Sequence, residues 1–144
     1  MIEINTAKYA NGELLVQVNH LLPQLSSSAL PMTLQQLTDF LDSSAITLFV
    51  ATHEGGTIGM LTLALFPIPT GIRAWIEDVV VDADARGLGA GELLTTTAVE
   101  HAKRHGAVTV DLTSRPAREA ANALYRKVGF VQRETNVYRY SVEN

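Results

Sequence analysis

The 144-residue chain contains no cysteine, which excludes a disulfide framework, a thiolate nucleophile and a thiolate metal site. That fits a reducing cytoplasm. Basic residues are nearly missing from the first half: residues 1–72 hold Lys8 alone against five acidic side chains, whereas residues 73–144 hold ten of each sign. At a net charge of −4 the chain is a poor partner for a nucleic-acid backbone. The imbalance points instead to a cationic ligand for the first half and an anionic one for the second. No apolar run approaches a membrane span, and the opening Met-Ile-Glu-Ile-Asn-Thr lacks the basic and apolar regions of a signal peptide. Repeats and low-complexity segments are absent too. What remains, 47% apolar and 18% charged, is an ordinary composition for one globular domain over residues 1–144.

Residues 1–6 read as a short strand. Leu14, Leu15, Val18, Leu21 and Leu22 recur at helical spacing, predicting a helix that ends before Pro23. Thr33 and Gln36 form a capping box opening a helix to about Leu41. The β-rich runs Ile46–Thr52 and Thr57–Phe66, parted by Glu54-Gly55-Gly56, predict a hairpin. Pro67, Pro69 and Gly71 interrupt the chain before a third strand, Trp75–Val81. Leu94, Thr97, Ala98, His101 and Ala102 form a helical stripe closed by Gly106, and Val108–Leu112 reads as a strand. Ala117, Ala121, Leu124 and Val128 space a further helix closed by Gly129, and alternation near Val137–Val142 predicts a last strand. The order is that of an α/β (mixed α+β) domain, a mixed sheet with helices on its faces.

The stretch Arg86-Gly87-Leu88-Gly89-Ala90-Gly91-Glu92 looks shaped to hold an anion. A P-loop requires lysine and a hydroxyl residue after the last glycine, where Glu92 and Leu93 stand. A dinucleotide fingerprint requires a third glycine at the position of Glu92, and Asp82-Ala83-Asp84-Ala85 separates strand from loop. A glycine-rich helix entry with no ligand is the plainer alternative. The pattern that fits is R-x-x-G-x-G, carried by Arg86, Gly89 and Gly91 after Val79-Val80-Val81. Glycines let consecutive N–H groups face one anion, and a helix N-terminus adds its positive end.

With Ile76-Glu77-Asp78-Val79-Val80-Val81 upstream and Asn122-Ala123-Leu124-Tyr125-Arg126-Lys127-Val128-Gly129-Phe130 downstream, the segment resembles the GNAT superfamily of N-acetyltransferases. The resemblance runs from about Trp75 to Phe130. It departs at Ala83, where many members carry proline, and in the three-residue spacing of Asn122 and Tyr125. It implies the GNAT-like fold, a central, mainly antiparallel mixed sheet flanked by helices. It also implies transfer of the acetyl group of acetyl-CoA to a primary amine, by direct attack in a ternary complex. Acetyl-CoA would be a co-substrate, no metal is implied, and a homodimer is common in the family. A non-catalytic acyl-CoA-binding module or sensor is the competing class.

An alkyl ammonium must lose a proton before attacking, which at pH 7 costs roughly 4 kcal/mol at about 1.4 kcal/mol per pKa unit. Glu77 is the candidate base, acting directly or through water, with Asp78 in reserve. An extended strand would put Trp75, Glu77, Val79 and Val81 on one face and Ile76, Asp78 and Val80 on the other. By the resemblance, backbone groups of Val79, Val80 and Val81 hold the pantetheine arm, and an N–H near Val79 polarises the thioester carbonyl. Arg86, Gly87, Leu88, Gly89, Ala90, Gly91 and Glu92 would serve the pyrophosphate, with Arg86 either touching phosphate or bracing the loop. Asn122 would bond the pantetheine amide, and Tyr125 would protonate the departing thiolate; both share one helix face. His101 and His105 match H-x-x-x-H, but Ala102 stands where a zinc protease has glutamate, so both read as structural or solvated. Trp75 and the Pro67–Arg73 turn are candidates for the acceptor site. The acidic first half slightly favours a cationic small molecule, such as a polyamine, aminoglycoside or amino-acid derivative, over a peptide amine.

Overall fold

The central strands of a five-stranded sheet are built from runs whose side chains alternate between two apolar layers. In the computed structural model, which describes residues 1–143, β1 (Ile2–Ala7), β2 (Ile46–His53), β3 (Gly56–Ile68), β4 (Gly71–Val81) and β5 (Ala107–Asp111) lie side by side in that order. β1 to β4 pair antiparallel, and β5 joins β4 in parallel. Parallel pairing needs a crossover, which is the helix α3 (Ala90–Arg104) between β4 and β5. Helices α1 (Gly12–Leu25) and α2 (Leu34–Asp42) lie between β1 and β2 in the chain, and α4 (Glu119–Val128) follows β5.

Alternation along β2 divides the core. Leu48 and Val50 pack with Leu14, Val18 and Leu21 of α1 and Leu37 of α2. Phe49 and Ala51 point the other way, into a layer with Leu94, Ala98 and Ala102 of α3. Leu21, Leu37, Leu61, Leu63 and Leu94 are essentially sealed from water; burial of such a side chain contributes about 1.5–3 kcal/mol. The capping box at Thr33 and Gln36 is formed in both directions.

Three sequence expectations change. First, α1 continues through Pro23 to Leu25; Pro23 deprives the Asn19 carbonyl of its helical N–H, yet the turn still closes through the Ser26 N–H on the Leu22 carbonyl at 3.2 Å. Second, Pro67 does not end a strand: β3 reaches Ile68, and β4 starts at Gly71 rather than at Trp75. The Leu65 N–H points at Ala45 O (2.8 Å), so the Pro67 nitrogen, two residues on, faces the same side beyond the end of β2. Third, Val137–Val142 forms no strand. Val137, Tyr138, Tyr140 and Val142 are all exposed, so the alternation has no layer within the chain to cover. The Glu54-Gly55 turn joins β2 to β3 with φ of 51° and 80°, the left-handed pair that a two-residue hairpin requires.

Gly59 marks the tightest approach between sheet and helix. A Cβ there would lie 2.9 Å from the Val80 carbonyl oxygen and 3.2 Å from Leu94 Cδ1. Gly59→Ala should therefore destabilise the fold by about 1–3 kcal/mol in urea unfolding. Gly12→Ala, whose Cβ would meet nothing within 4 Å at the start of α1, should be neutral or stabilise by up to about 1 kcal/mol. Equal effects at the two positions would refute this packing account.

Candidate active site

β4 departs from ordinary pleating at Asp78. Met60 of β3 faces Val80 and Thr62 faces Glu77, so β4 carries one residue more than β3 across this stretch. Asp78 has φ of 52°, a left-handed conformation that Asp tolerates better than most residues. The extra residue switches the faces. Ala74 and Ile76 belong to the α3 layer, whereas Val80 belongs to the α1–α2 layer, and Val79 and Val81 pack against the α3 side. The expectation that Glu77 shares a face with Val79 and Val81 is therefore wrong. Perfect alternation cannot persist through a bulge.

The bulge leaves Glu77 and Asp78 together in the lining of a cavity of about 300 Å³ between α1, α2 and the sheet. Trp75, two residues before Glu77, donates its indole N–H to Glu77 Oε1 at 2.6 Å. The Asp78 carboxyl is held above the ordinary carboxylate range, first by burial and then by the neighbouring charge of Glu77. On the edge facing β5, pairing stops early: Trp75 opposite Asp111 is the last matched pair. From Ile76 to Val81 no strand among the described residues lies on that side of β4, which leaves room for an extended ligand to add as a strand.

At the end of β4, Asp82 caps a single 3-10 turn, Ala83–Ala85, by accepting the Asp84 N–H at 3.1 Å. Two residues of α1 hold this turn. His20 Nε2 lies 2.9 Å from Asp82 Oδ2, and Gln24 bridges, donating to Asp82 Oδ1 at 3.4 Å and accepting the Ala83 N–H at 2.8 Å. The Asp84 N–H is the main cause holding the Asp82 carboxyl below its usual range, with His20 next. Sequence reasoning missed His20 and Gln24, which lie about 60 residues before their partners (separations of 62 and 58 to Asp82). At Ala83, where the chain departs from the proline of many family members, proline could not donate the bond that Gln24 accepts.

The glycines of the following loop have separate tasks. Gly87 and Gly89 adopt φ of 86° and 89°, and a Cβ on either would meet nothing within 4 Å, so both face open space. Gly89 caps α3 with no side-chain hydrogen bond, leaving the first N–H groups of the helix available to an anion. Gly91 is instead a packing position, its Cβ site lying 3.3 Å from Leu124 Cδ1 and 3.7 Å from Val81 Cγ2. Arg86 and Leu88 are exposed, and Ala90 is buried. Among the described residues no ion pair involves Arg86. Glu92 pairs with Lys127 of α4 at 3.1 Å.

On α4, Tyr125 is buried and its ring meets Phe130 edge-to-face at 5.9 Å. Burial raises its hydroxyl above the usual tyrosine range, partly offset by the charge of Arg118. Asn122 donates one amide hydrogen to the Arg115 carbonyl at 3.0 Å, which ties its side chain to the loop before α4. His101 stacks on His105 at 4.1 Å and meets Phe49 edge-on at 5.3 Å, in keeping with a packing role. Burial, then His105 and Arg104, lower the His101 pKa.

Comparison with known proteins identifies the family and the fold. The model of the Acetyltransferase (GNAT) family matches residues 16–130, and the chain belongs to that family. It is 40% identical over 65 residues to the glucosamine 6-phosphate N-acetyltransferase 1 of rice, covering 45% of this chain and 38% of that protein. A mycothiol acetyltransferase of Paenarthrobacter aurescens is 42% identical over 59 residues, covering 41% of this chain and 18% of that protein. The chain thus spans well under half the length of either. An acetyltransferase of Trypanosoma brucei superposes with a TM-score of 0.81 at 26% identity, covering 98% of this chain and all of that one. An aminoglycoside acetyltransferase from a soil metagenome, solved with sisomicin, shares the fold at a TM-score of 0.87 and 19% identity, covering 99% and 97%.

The raised Asp78 carboxyl has a consequence for stability. A carboxyl whose folded pKa exceeds its unfolded value favours the fold while protonated and loses that contribution as pH rises through the folded pKa. At neutral pH the ionised group opposes folding, through burial and the Glu77 charge. Asp78→Asn keeps a residue tolerant of the left-handed backbone. It should raise Tm at pH 7 and cease to do so below about pH 3, under the ordinary Asp pKa of ~3.9. A Tm gain of the same size at both pH values would contradict this account.

Proposed function

We propose that this domain transfers the acetyl group of acetyl-CoA to an amine by direct attack, with both substrates bound together. The observation that carries the reading is the stretch Ile76–Val81. There β4 has lost its neighbour, bears two adjacent carboxylates, and runs into a loop ending at an uncapped helix. The parts fit the co-substrate. Open glycines at 87 and 89 with the first turn of α3 suit a pyrophosphate, and the unpaired edge of Val79, Val80 and Val81 suits the amide-bearing arm. Acetyl-CoA supplies the activated thioester.

The residues of this chain supply the proton movements. Glu77, oriented by the Trp75 indole, takes the ammonium proton directly or through water. Asp78 lies beside it, its carboxyl held above the ordinary carboxylate range by burial and then by the Glu77 charge. A backbone N–H at Val79, re-aimed by the bulge, donates to the carbonyl oxygen as charge develops there. The Tyr125 hydroxyl, held protonated by burial, donates to the departing sulfur. A sensor that binds without turnover would have no use for this set of proton-handling groups.

Acetyl-CoA should raise Tm, with a contribution near 2.7 kcal/mol at a hundred times its dissociation constant. Gly89→Asp should abolish that response, because φ of 89° strains any side chain and the new charge repels phosphate. A normal response in this variant would remove the loop from the binding site.

Turnover and its pH profile test the two proton-handling side chains. Glu77→Gln should depress kcat most at acid and neutral pH, with partial recovery as the amine deprotonates unaided. Tyr125→Phe preserves the contact with Phe130 and should cost on the order of a hundredfold in kcat while sparing acetyl-CoA affinity. Wild-type kcat in a folded Phe variant would return Tyr125 to a packing role.

A further inference from the structure

Resting on this reading of the site, we propose that the acceptor is a monoamine on a compact apolar body, an arylalkyl or branched alkyl amine, rather than a polyamine or aminosugar. The polar residues lining the cavity form one cluster, Glu77, Asp78 and Thr62, the last paired with Glu77 across β3 and β4. Its floor is Leu37, Leu48 and Met60, buried side chains continuous with the α1–α2 core. Its sides are Leu22 of α1, Phe40 of α2 and Met32 from the connection between them. The wall at Met32 is fixed. Asn19 accepts the Met32 N–H at 2.8 Å and donates to the Met32 carbonyl at 3.0 Å, which holds the connection against α1 from both sides of one residue.

Such a cavity selects by what it leaves unpaired. One ammonium meets the carboxylates, while the remainder of the ligand faces hydrocarbon and a thioether able to adapt to its shape. A second ammonium, or the hydroxyls of a sugar, would surrender water and gain no partner along those walls. The volume, about 300 Å³, stands at the lower limit of the ~300–1,000 Å³ usual for small-molecule sites and favours one ring or a short branched chain over linked rings. The acidity of residues 1–72 attracts any cation, but these walls decide which cation can be desolvated.

The test separates occupancy from chemistry. Binding of 2-phenylethylamine, isoamylamine, spermidine and glucosamine to the CoA-loaded protein would be measured by calorimetry, and their acetylation by thiol release from acetyl-CoA. Phenylethylamine and isoamylamine should bind at least ~10-fold tighter than the other two and show the higher kcat/KM. Met32→Gln, which keeps the backbone bonds to Asn19 and puts an amide in the wall, should weaken phenylethylamine binding ~10-fold without changing the acetyl-CoA thermal shift. Binding of phenylethylamine without acetylation would sustain the pocket assignment and defeat the transferase reading. Acetylation of spermidine or glucosamine in preference to both apolar amines would do the reverse. Binding of none of the four would overturn the assignment of the cavity, as would a Met32→Gln variant that binds phenylethylamine like the parent.

Discussion

The site depends on one extra residue in β4. Without the bulge at Asp78, strict alternation would carry the Ile76 face through to Val80, and the strand would finish as it began. With it, Ile76 packs under α3 while Val80 packs under α1 and α2. Glu77 and Asp78 fall at the crossover, where neither core claims them. A non-glycine residue at φ of 52° costs about 1–3 kcal/mol, and the surrounding sheet holds it there. Met60 and Thr62 of β3 pair on either side of the irregularity, so its register cannot slip without moving both core layers.

The end of the same strand is tied to α1. His20 and Gln24 reach from the helix to Asp82 and Ala83, so the turn that launches the glycine loop is held by the helix whose Val18 and Leu22 line the cavity. The proposed acceptor cavity and the proposed phosphate loop therefore share one rigid element. Ala83 belongs to this clasp through its N–H, which gives a physical reason for a residue other than proline at that position.

The second half of the loop is a packing problem as much as a binding one. Gly91 lets α3, α4 and the end of β4 meet, with its Cβ site within 4 Å of both Leu124 and Val81. Lys127 pairs with Glu92 across the same junction, though both groups are largely solvated and the pair contributes little by itself. Thr95, buried at 0% exposure, satisfies its hydroxyl on the Gly91 carbonyl. Tyr125 is thus positioned by contacts that begin at the third glycine of the loop.

Local periodicity was enough to locate the elements. The Thr33–Gln36 box, the Glu54-Gly55 turn, the α3 stripe from Leu94 to Ala102 and the glycines before it depend on neighbours within a turn or two, and the sequence by itself determined them. The family followed from the motif around Arg86 to Gly91 and its flanks. The strand end at Pro67 was misjudged because a missing N–H matters only if its partner is present, and the helix end at Pro23 because one lost bond did not stop the last turn of α1. The segment Val137–Val142 has the alternation of a strand, but pairing requires a neighbour that local sequence does not disclose. Only the tertiary structure decided the bulge, the Asn19 hold on Met32, the α1 clasp on Asp82 and the apolar walls beside Glu77. Each depends on side chains that fold together from distant stretches, such as His20 and Asp82, 62 residues apart. No window short enough to show periodicity contains both of these, and although Asn19 and Met32 are only 13 residues apart, periodicity says nothing of their bond.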